Sequence, residues 1–302
     1  MDNTITRTRI TIDPRDRSDL VSRKKVAAAS KIAGKGFILA LLLIWTLFPI
    51  YWMLSLSIRS GNELSGALHF LPHSFSTEHF ITLFQEKGFA IAMKNSIKVT
   101  GISLLISLAC AIPAAYIFSR RRFYFRLRQT AIMWTLVVRI LPPIAFAIPL
   151  YTMMNRAGLI RTDIPIVLSH VLLNIPFIIW FLISFFTGLP EDLEESAKMD
   201  GANEWMIFYK IVFPLVAPGI TAVTILSFMT SWNEYLYGVI FVQSPQSFTI
   251  PLSLATLNSE QELAQWGSIA AGGVLSLIPI LLFVVFAQNY LISGLSNGAV
   301  KE

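Results

Sequence analysis

Five stretches of this chain, 36–58, 99–119, 164–190, 211–233 and 263–300, contain no Asp, Glu, Lys or Arg. Each reaches the roughly 18 to 20 residues that carry a helix across a hydrocarbon core. Charged residues make up 14% of the 302, against roughly 25% in an ordinary globular chain. A soluble fold of this size has too much surface to cover with so few charges. Backbone groups in lipid must be satisfied within the chain, which selects helices, and no apolar alternation at period two marks the strands of a barrel. The composition therefore predicts an all-α, polytopic membrane protein.

Six spans are predicted, at 36–58, 93–119, 130–154, 164–188, 214–243 and 267–290. Arg139 interrupts the third, but its flanks 131–138 and 140–154 are apolar, so it reads as one span. The net charge of +6 gathers beside the spans, which is the pattern of membrane orientation and not of a nucleic-acid surface. The first 35 residues hold nine Lys or Arg, and five more lie in the loop 119–129. With the N-terminus inside, 17 of the 24 basic residues fall on the cytoplasmic side, and six spans return the C-terminus there too. Segment 1–35 is too polar for a cleaved signal peptide and reads as a disordered basic tail before a domain at 36–302. A lone cysteine, Cys110, excludes an internal disulfide and a cysteine-based metal cluster. On the outer side, 59–92 predicts an ordered loop with a short surface helix near 77–86.

The cytoplasmic connection 189–212 between the fourth and fifth spans is the most informative segment. Pro190 suits the first turn of a helix, and Glu191, Asp192, Glu194 and Glu195 suit its positive end. Gly201 is placed to end that helix in a left-handed conformation and to permit close backbone approach. A second short helix is predicted over 203–211. Two short helices around a glycine outside the membrane make a knob for another protein to grip.

Here the chain resembles a family. Glu195-Ser196-Ala197, then Gly201, then Ile211-Val212-Phe213-Pro214 is similar to the EAA signature of permease subunits in binding-protein-dependent ABC importers. That signature reads E-A-A, three residues, G, nine residues, I-x-L-P; Ser196 and Phe213 depart from it, and the spacing is intact. Asn95-Ser96, Ala114-Ala115-Tyr116, Trp232-Asn233-Glu234-Tyr235, Gln288-Asn289-Tyr290 to Gly294 and Gly298-Ala299-Val300-Lys301 resemble the carbohydrate importers of that family, the group of the smaller maltose permease subunit. The resemblance implies a bacterial inner-membrane complex of this chain with a second, homologous permease subunit, two ATPase subunits and an external solute-binding protein. It implies coupling to the ATPase through Glu194, Glu195, Ser196, Ala197, Asp200, Gly201, Ala202, Ile211 and Pro214. It also places ATP and Mg in the ATPase, with no cofactor in this chain.

The chain's own residues agree that it supplies no ATP site. Gly34-Lys35 is its nearest glycine–lysine pair, but Ala29 stands where a phosphate-cradling loop needs glycine, and Gly36 where it needs Ser or Thr. The four histidines form no H-E-x-x-H pair. Polar residues within the spans are costly in lipid and mark either a pathway or helix–helix bonding. Arg139, His170, Asn174, Asn233, Glu234 and Tyr237 are the candidates for the substrate pathway. His170 and Asn174 share a helical face, as do Asn233 and Tyr237, and Glu234 is a possible partner for Arg139. Hydroxyl edges and an apolar ring face make a sugar suited to such a mixture of polar and aromatic groups. The rival reading is a secondary transporter driven by an ion gradient, with Glu234 as its one intramembrane acid. A membrane-embedded enzyme is the other, and no catalytic cluster supports it.

Overall fold

Proline and small polar residues decide where the apolar runs bend and how closely they pack. A computed structural model describes the backbone of residues 14–67, 69–120, 125–258 and 265–298, and the side chains of 32–67, 69–120, 128–257 and 266–286. Two units result, 1–54 and 55–302. The first consists of helix α1 (Pro14–Ser57) as far as Leu54, and its side chains from Ile32 to Ile50 are all exposed. A helix apolar on every side suits lipid. It begins within the segment expected to be disordered, so helix replaces coil from Pro14 on; residues 1–13 of that tail lie outside the described residues.

The second unit is built on α4 (Phe89–Ser119) and α7 (Ile164–Thr187). Ser96, Thr100, Ser103, Ser107, Ala111 and Ala115 form a buried stripe of small residues along α4. Ser107 donates to the Ser103 carbonyl at 2.7 Å and Ser103 to that of Thr100 at 3.1 Å, so the stripe keeps its hydroxyls satisfied while letting α7 close in. Ile178, Leu182 and Phe186 of α7, at four-residue spacing, sit with Ala111 and Ala115 in the main apolar cluster. Helix α10 (Phe213–Trp232) packs on both, and α13 (Gln265–Gly298) packs on α10. Gly219 is required here, because a Cβ at that position would stand 2.6 Å from the Phe185 ring.

Among the described residues, five helices are long and apolar enough to cross a membrane: Ile32–Ser57, Phe89–Ser119, Ile164–Thr187, Glu204–Trp232 and Trp266–Phe286. Two of the six expected spans differ. The third is two helices, α5 (Phe125–Ile140) and α6 (Ile144–Arg156), bent by 100° at Leu141-Pro142-Pro143. Consecutive prolines remove two backbone donors, and the ladder cannot run through them. The fifth stops at Trp232 instead of reaching 243; residues 233–235 break it, and α11 (Leu236–Phe241) follows. At its other end it starts earlier, at Glu204. Helix α9 (Glu204–Ile207) runs into a π-turn, Phe208–Val212, and on into α10. The Phe213 N–H donates to the Phe208 carbonyl, one residue wider than an α-helix, directly before Pro214, which has no N–H to give. The second short helix predicted over 203–211 is therefore the start of a span and not part of a separate knob.

At the start of α4, the Asn95 amide donates to the Gln246 and Phe248 carbonyls at 2.8 and 3.0 Å, and the Ser96 hydroxyl accepts from Ile250 N–H at 2.8 Å. They fix the head of α12 (Ile250–Asn258). The loop after α1 holds α2 (Gly61–Leu64) and α3 (Glu78–Gln85), the latter within the surface helix expected near 77–86. Arg59 is fully buried there; it donates to the His69 carbonyl at 2.6 Å and pairs with Glu63 at 3.3 Å. The Ser74 hydroxyl, the His73 and Ser74 N–H groups and Arg59 together hold the Glu63 carboxyl down to about 2. A depressed carboxylate stabilises the fold above its ordinary value of 4.5 and loses that contribution as pH falls toward about 2. Glu63→Gln is accordingly expected to lower the melting temperature at neutral pH, with the gap from wild type narrowing as pH falls from 4.5 toward about 2. A pH-independent gap in melting scans would contradict this.

Candidate functional site

Helix α8 (Asp192–Met199) stands at the far end of α4, away from the α12 loop. Its acidic first turn, Asp192, Glu194 and Glu195, meets the positive end of the helix dipole, and Lys198 lies in its last turn. Pro190 precedes the helix instead of entering its first turn. Gly201 has φ of +83°, a left-handed conformation that side chains disfavour. Ala202 N–H reaches back to the Ala197 carbonyl at 3.0 Å and Gly201 N–H to that of Lys198 at 3.0 Å, which closes the helix end. Within this chain a Cβ at Gly201 would meet nothing within 4 Å, so here it is the backbone angle that asks for glycine. The Asn203 side chain then caps α9 by accepting from Met206 N–H at 2.8 Å.

The candidate residues of this segment divide by face. Glu195, Ser196, Asp200 and Gly201 are exposed, as is Met199 at 88%. Glu194 and Ala197 are buried, Ala202 and Ile211 are half-buried, and Pro214 is exposed on α10. Glu194 lies 2.5 Å from Arg120 and accepts from the Tyr116 hydroxyl at 3.0 Å. Tyr116 also packs against Phe208, with ring centroids 5.0 Å apart and the planes tilted by 46°. Sequence reasoning missed Arg120 in this role. It stands first in a basic run that reads as an orientation signal, and spacing gives no sign that it meets a carboxylate 74 positions away.

The pathway candidates divide as well. His170 and Asn174 are buried on α7 and face the break that ends α10. The Asn174 amide donates to the Ser231 hydroxyl at 2.8 Å, and His170 Nε2 lies 3.4 Å from Glu234. The Glu234 carboxyl also accepts from Tyr237 N–H at 2.9 Å and Gly238 N–H at 3.3 Å, so it caps the start of α11. Tyr237 is fully buried and donates its hydroxyl to the Pro143 carbonyl at 2.8 Å, which joins the two broken spans. His170 Nδ1, Asn174 Oδ1 and Ser227 Oγ are buried polar atoms with no hydrogen-bond partner, leaving this seam spare bonding capacity.

Arg139 and Asn233 stand outside the seam. Arg139 is exposed, with its guanidinium 4.3 Å from the centre of the Phe177 ring, while the side chain beside the Glu234 carboxyl is His170. Asn233 is exposed and donates to the Met229 carbonyl at 2.9 Å. Because the helix ends at Trp232, Asn233 and Tyr237 do not share a helical face. Of the tail residues, the side chains of Gln288 to Gly298 and everything beyond 298 lie outside the described residues.

The model of the family described as binding-protein-dependent transport system inner membrane component matches residues 107–297. The inner membrane ABC transporter permease protein YcjP of Escherichia coli K12 is 32% identical over 267 residues, covering 87% of this chain and 94% of that protein. The trehalose transport system permease protein SugB of Mycobacterium tuberculosis is 31% identical over 258 residues, covering 85% and 93%. Among solved structures, a chain of a bacterial ABC transporter involved in the import of the acidic polysaccharide alginate superposes with a TM-score of 0.73. That likeness covers 93% of this chain and 99% of the other at 22% identity, and is one of fold. The family model spans more than half of this chain, which therefore belongs to the inner membrane components of binding-protein-dependent transport systems.

Proposed function

We propose that this permease forms half of the path by which a carbohydrate or related solute is imported, driven by ATPase subunits that grip the outward face of α8. The observation that carries the reading is the division of α8: Glu194 and Ala197 hold it to the bundle, and Glu195, Ser196, Met199 and Asp200 are exposed on its other face. A charged helix held out from an otherwise apolar bundle offers a handle to a soluble subunit. The trehalose system named for a relative at 31% identity supports the solute class. A second permease completes the path, and an external solute-binding protein delivers substrate at the end where α3, α12 and the loops around them gather. In the sequence, 17 of the 24 basic residues fall in segments 1–35, 119–129 and 189–212 and at Lys301, a bias that supports a cytoplasmic α8 with both termini inside. The proposed cycle is alternating access: the ATPase dimer closes, α8 is displaced, and the bundle opens outward to the loaded binding protein.

Cysteine labelling tests the reading. In a Cys110→Ser background, Asp200→Cys is expected to react only from the cytoplasmic face and to be protected when the ATPase subunits are bound. Glu86→Cys is expected to react only from outside. Reversed accessibility overturns the orientation, and an Asp200→Cys site that stays reactive in the assembled complex overturns the docking.

A further inference from the structure

Helix α8 has only two buried residues, Glu194 and Ala197. One methyl group gives it little apolar hold on the bundle, so its attachment is polar. Glu194 sits 2.5 Å from Arg120, and both side chains are nearly inaccessible, at 4% and 9%. Arg120, just past the end of α4, also donates to the Phe186 carbonyl in the last turn of α7 at 2.9 Å, and it lies 5.2 Å from the centre of the Tyr116 ring. Tyr116, in the last turn of α4, donates to the second oxygen of Glu194. The charges match the ends they occupy: the carboxylate lies at the positive end of α8, the guanidinium at the negative ends of α4 and α7.

Short connectors flank α8, one through Pro190 and one through Gly201 in its left-handed turn. Without a rigid tie, a push on α8 would be absorbed by those turns. We infer that Glu194 and Arg120 are positioning residues that fasten α8 to the ends of α4 and α7, so that displacing α8 moves these two helices together. The two charges pair inside the bundle, while Arg120 also bonds the Phe186 carbonyl and Glu194 the Tyr116 hydroxyl. That set of contacts is more specific than apolar packing, and removing one charge strands the other. The inference rests on the reading of α8 as the helix gripped by the ATPase.

The test uses the complete complex reconstituted with its ATPase and binding protein. Arg120→Gln with Glu194→Gln removes both charges at once and strands neither. This double variant is expected to assemble and retain the ATPase on pull-down, while the ratio of binding-protein-stimulated to basal hydrolysis falls about tenfold. Uptake should fall with it. A wild-type ratio with wild-type uptake overturns the tie and leaves the pair as packing. Tyr116→Phe removes only the phenol hydrogen bond and is expected to lower the ratio about threefold. It decides the matter if the double variant does not assemble, since an unchanged ratio in Tyr116→Phe then overturns the tie. Failure of the underlying reading looks different. Asp200→Lys with Glu195→Lys on the outward face would keep the ATPase bound and uptake normal, and the proposal would lose its base.

Discussion

Replacing Gly201 by valine is expected to abolish uptake while leaving the spans inserted. The left-handed backbone at φ of +83° costs a side-chain-bearing residue roughly 1–2 kcal/mol, and a β-branched residue is among the least tolerant. Space is not the obstacle, because a Cβ at 201 meets nothing within 4 Å. The strain is relieved by unwinding the end of α8, which loses the closing bonds from Gly201 and Ala202 and shifts the face bearing Glu195 and Asp200. Gly201→Asn is the control, since asparagine enters the left-handed region more readily. Uptake by proteoliposomes should be lost in the valine variant and largely kept in the asparagine one. Equal loss in both would mean that a contact, and not the backbone angle, requires glycine.

Glu234→Leu is expected to have the largest effect on the stability of the bundle. It strips the acceptor from Tyr237 N–H, Gly238 N–H and His170 in one substitution. Each buried group left unpaired costs about 1–3 kcal/mol, so the loss totals about 3 kcal/mol or more. The α11 segment would then lose its fixed start, and with it the Tyr237 bond that joins the break at Pro143. Glu234→Gln keeps one acceptor oxygen and should cost less. Melting of the detergent-solubilised complex separates the two: a sharp fall for leucine and a smaller one for glutamine. Equal melting temperatures for wild type and the leucine variant would remove Glu234 as the cap of α11.

Most of the fold was legible because apolar length is a direct reading of bilayer thickness. Ile164–Thr187 ends within a residue of its expected bounds. The misreadings have local causes. Leu236 to Phe241 continue the apolar pattern after Trp232, and no Gly or Pro marks 233–235, so one span is read where there are two pieces. What stabilises that break is tertiary, a carboxylate from within the break and a histidine from α7, and neither leaves a periodic trace. Pro214 reads as a helix boundary, yet the π-turn ahead of it lets the helix run through. The apolar flanks of Arg139 read as one span, while Pro142-Pro143 within them bends the chain by 100° and makes two helices of it. In the α8 segment, Glu194 and Glu195 are adjacent and chemically alike; only burial separates the one that ties the helix down from the one that faces outward.

Uptake by the reconstituted complex tests the central claim most directly. Proteoliposomes carrying this permease, its partner permease and the ATPase subunits would be supplied with a sugar-loaded binding protein outside and ATP inside. The account predicts that labelled sugar accumulates only when ATP, the ATPase and the loaded binding protein are all present, with no response to a sodium or proton gradient. Accumulation driven by such a gradient in the absence of ATP would contradict it, and would return Glu234 to the role of an ion site.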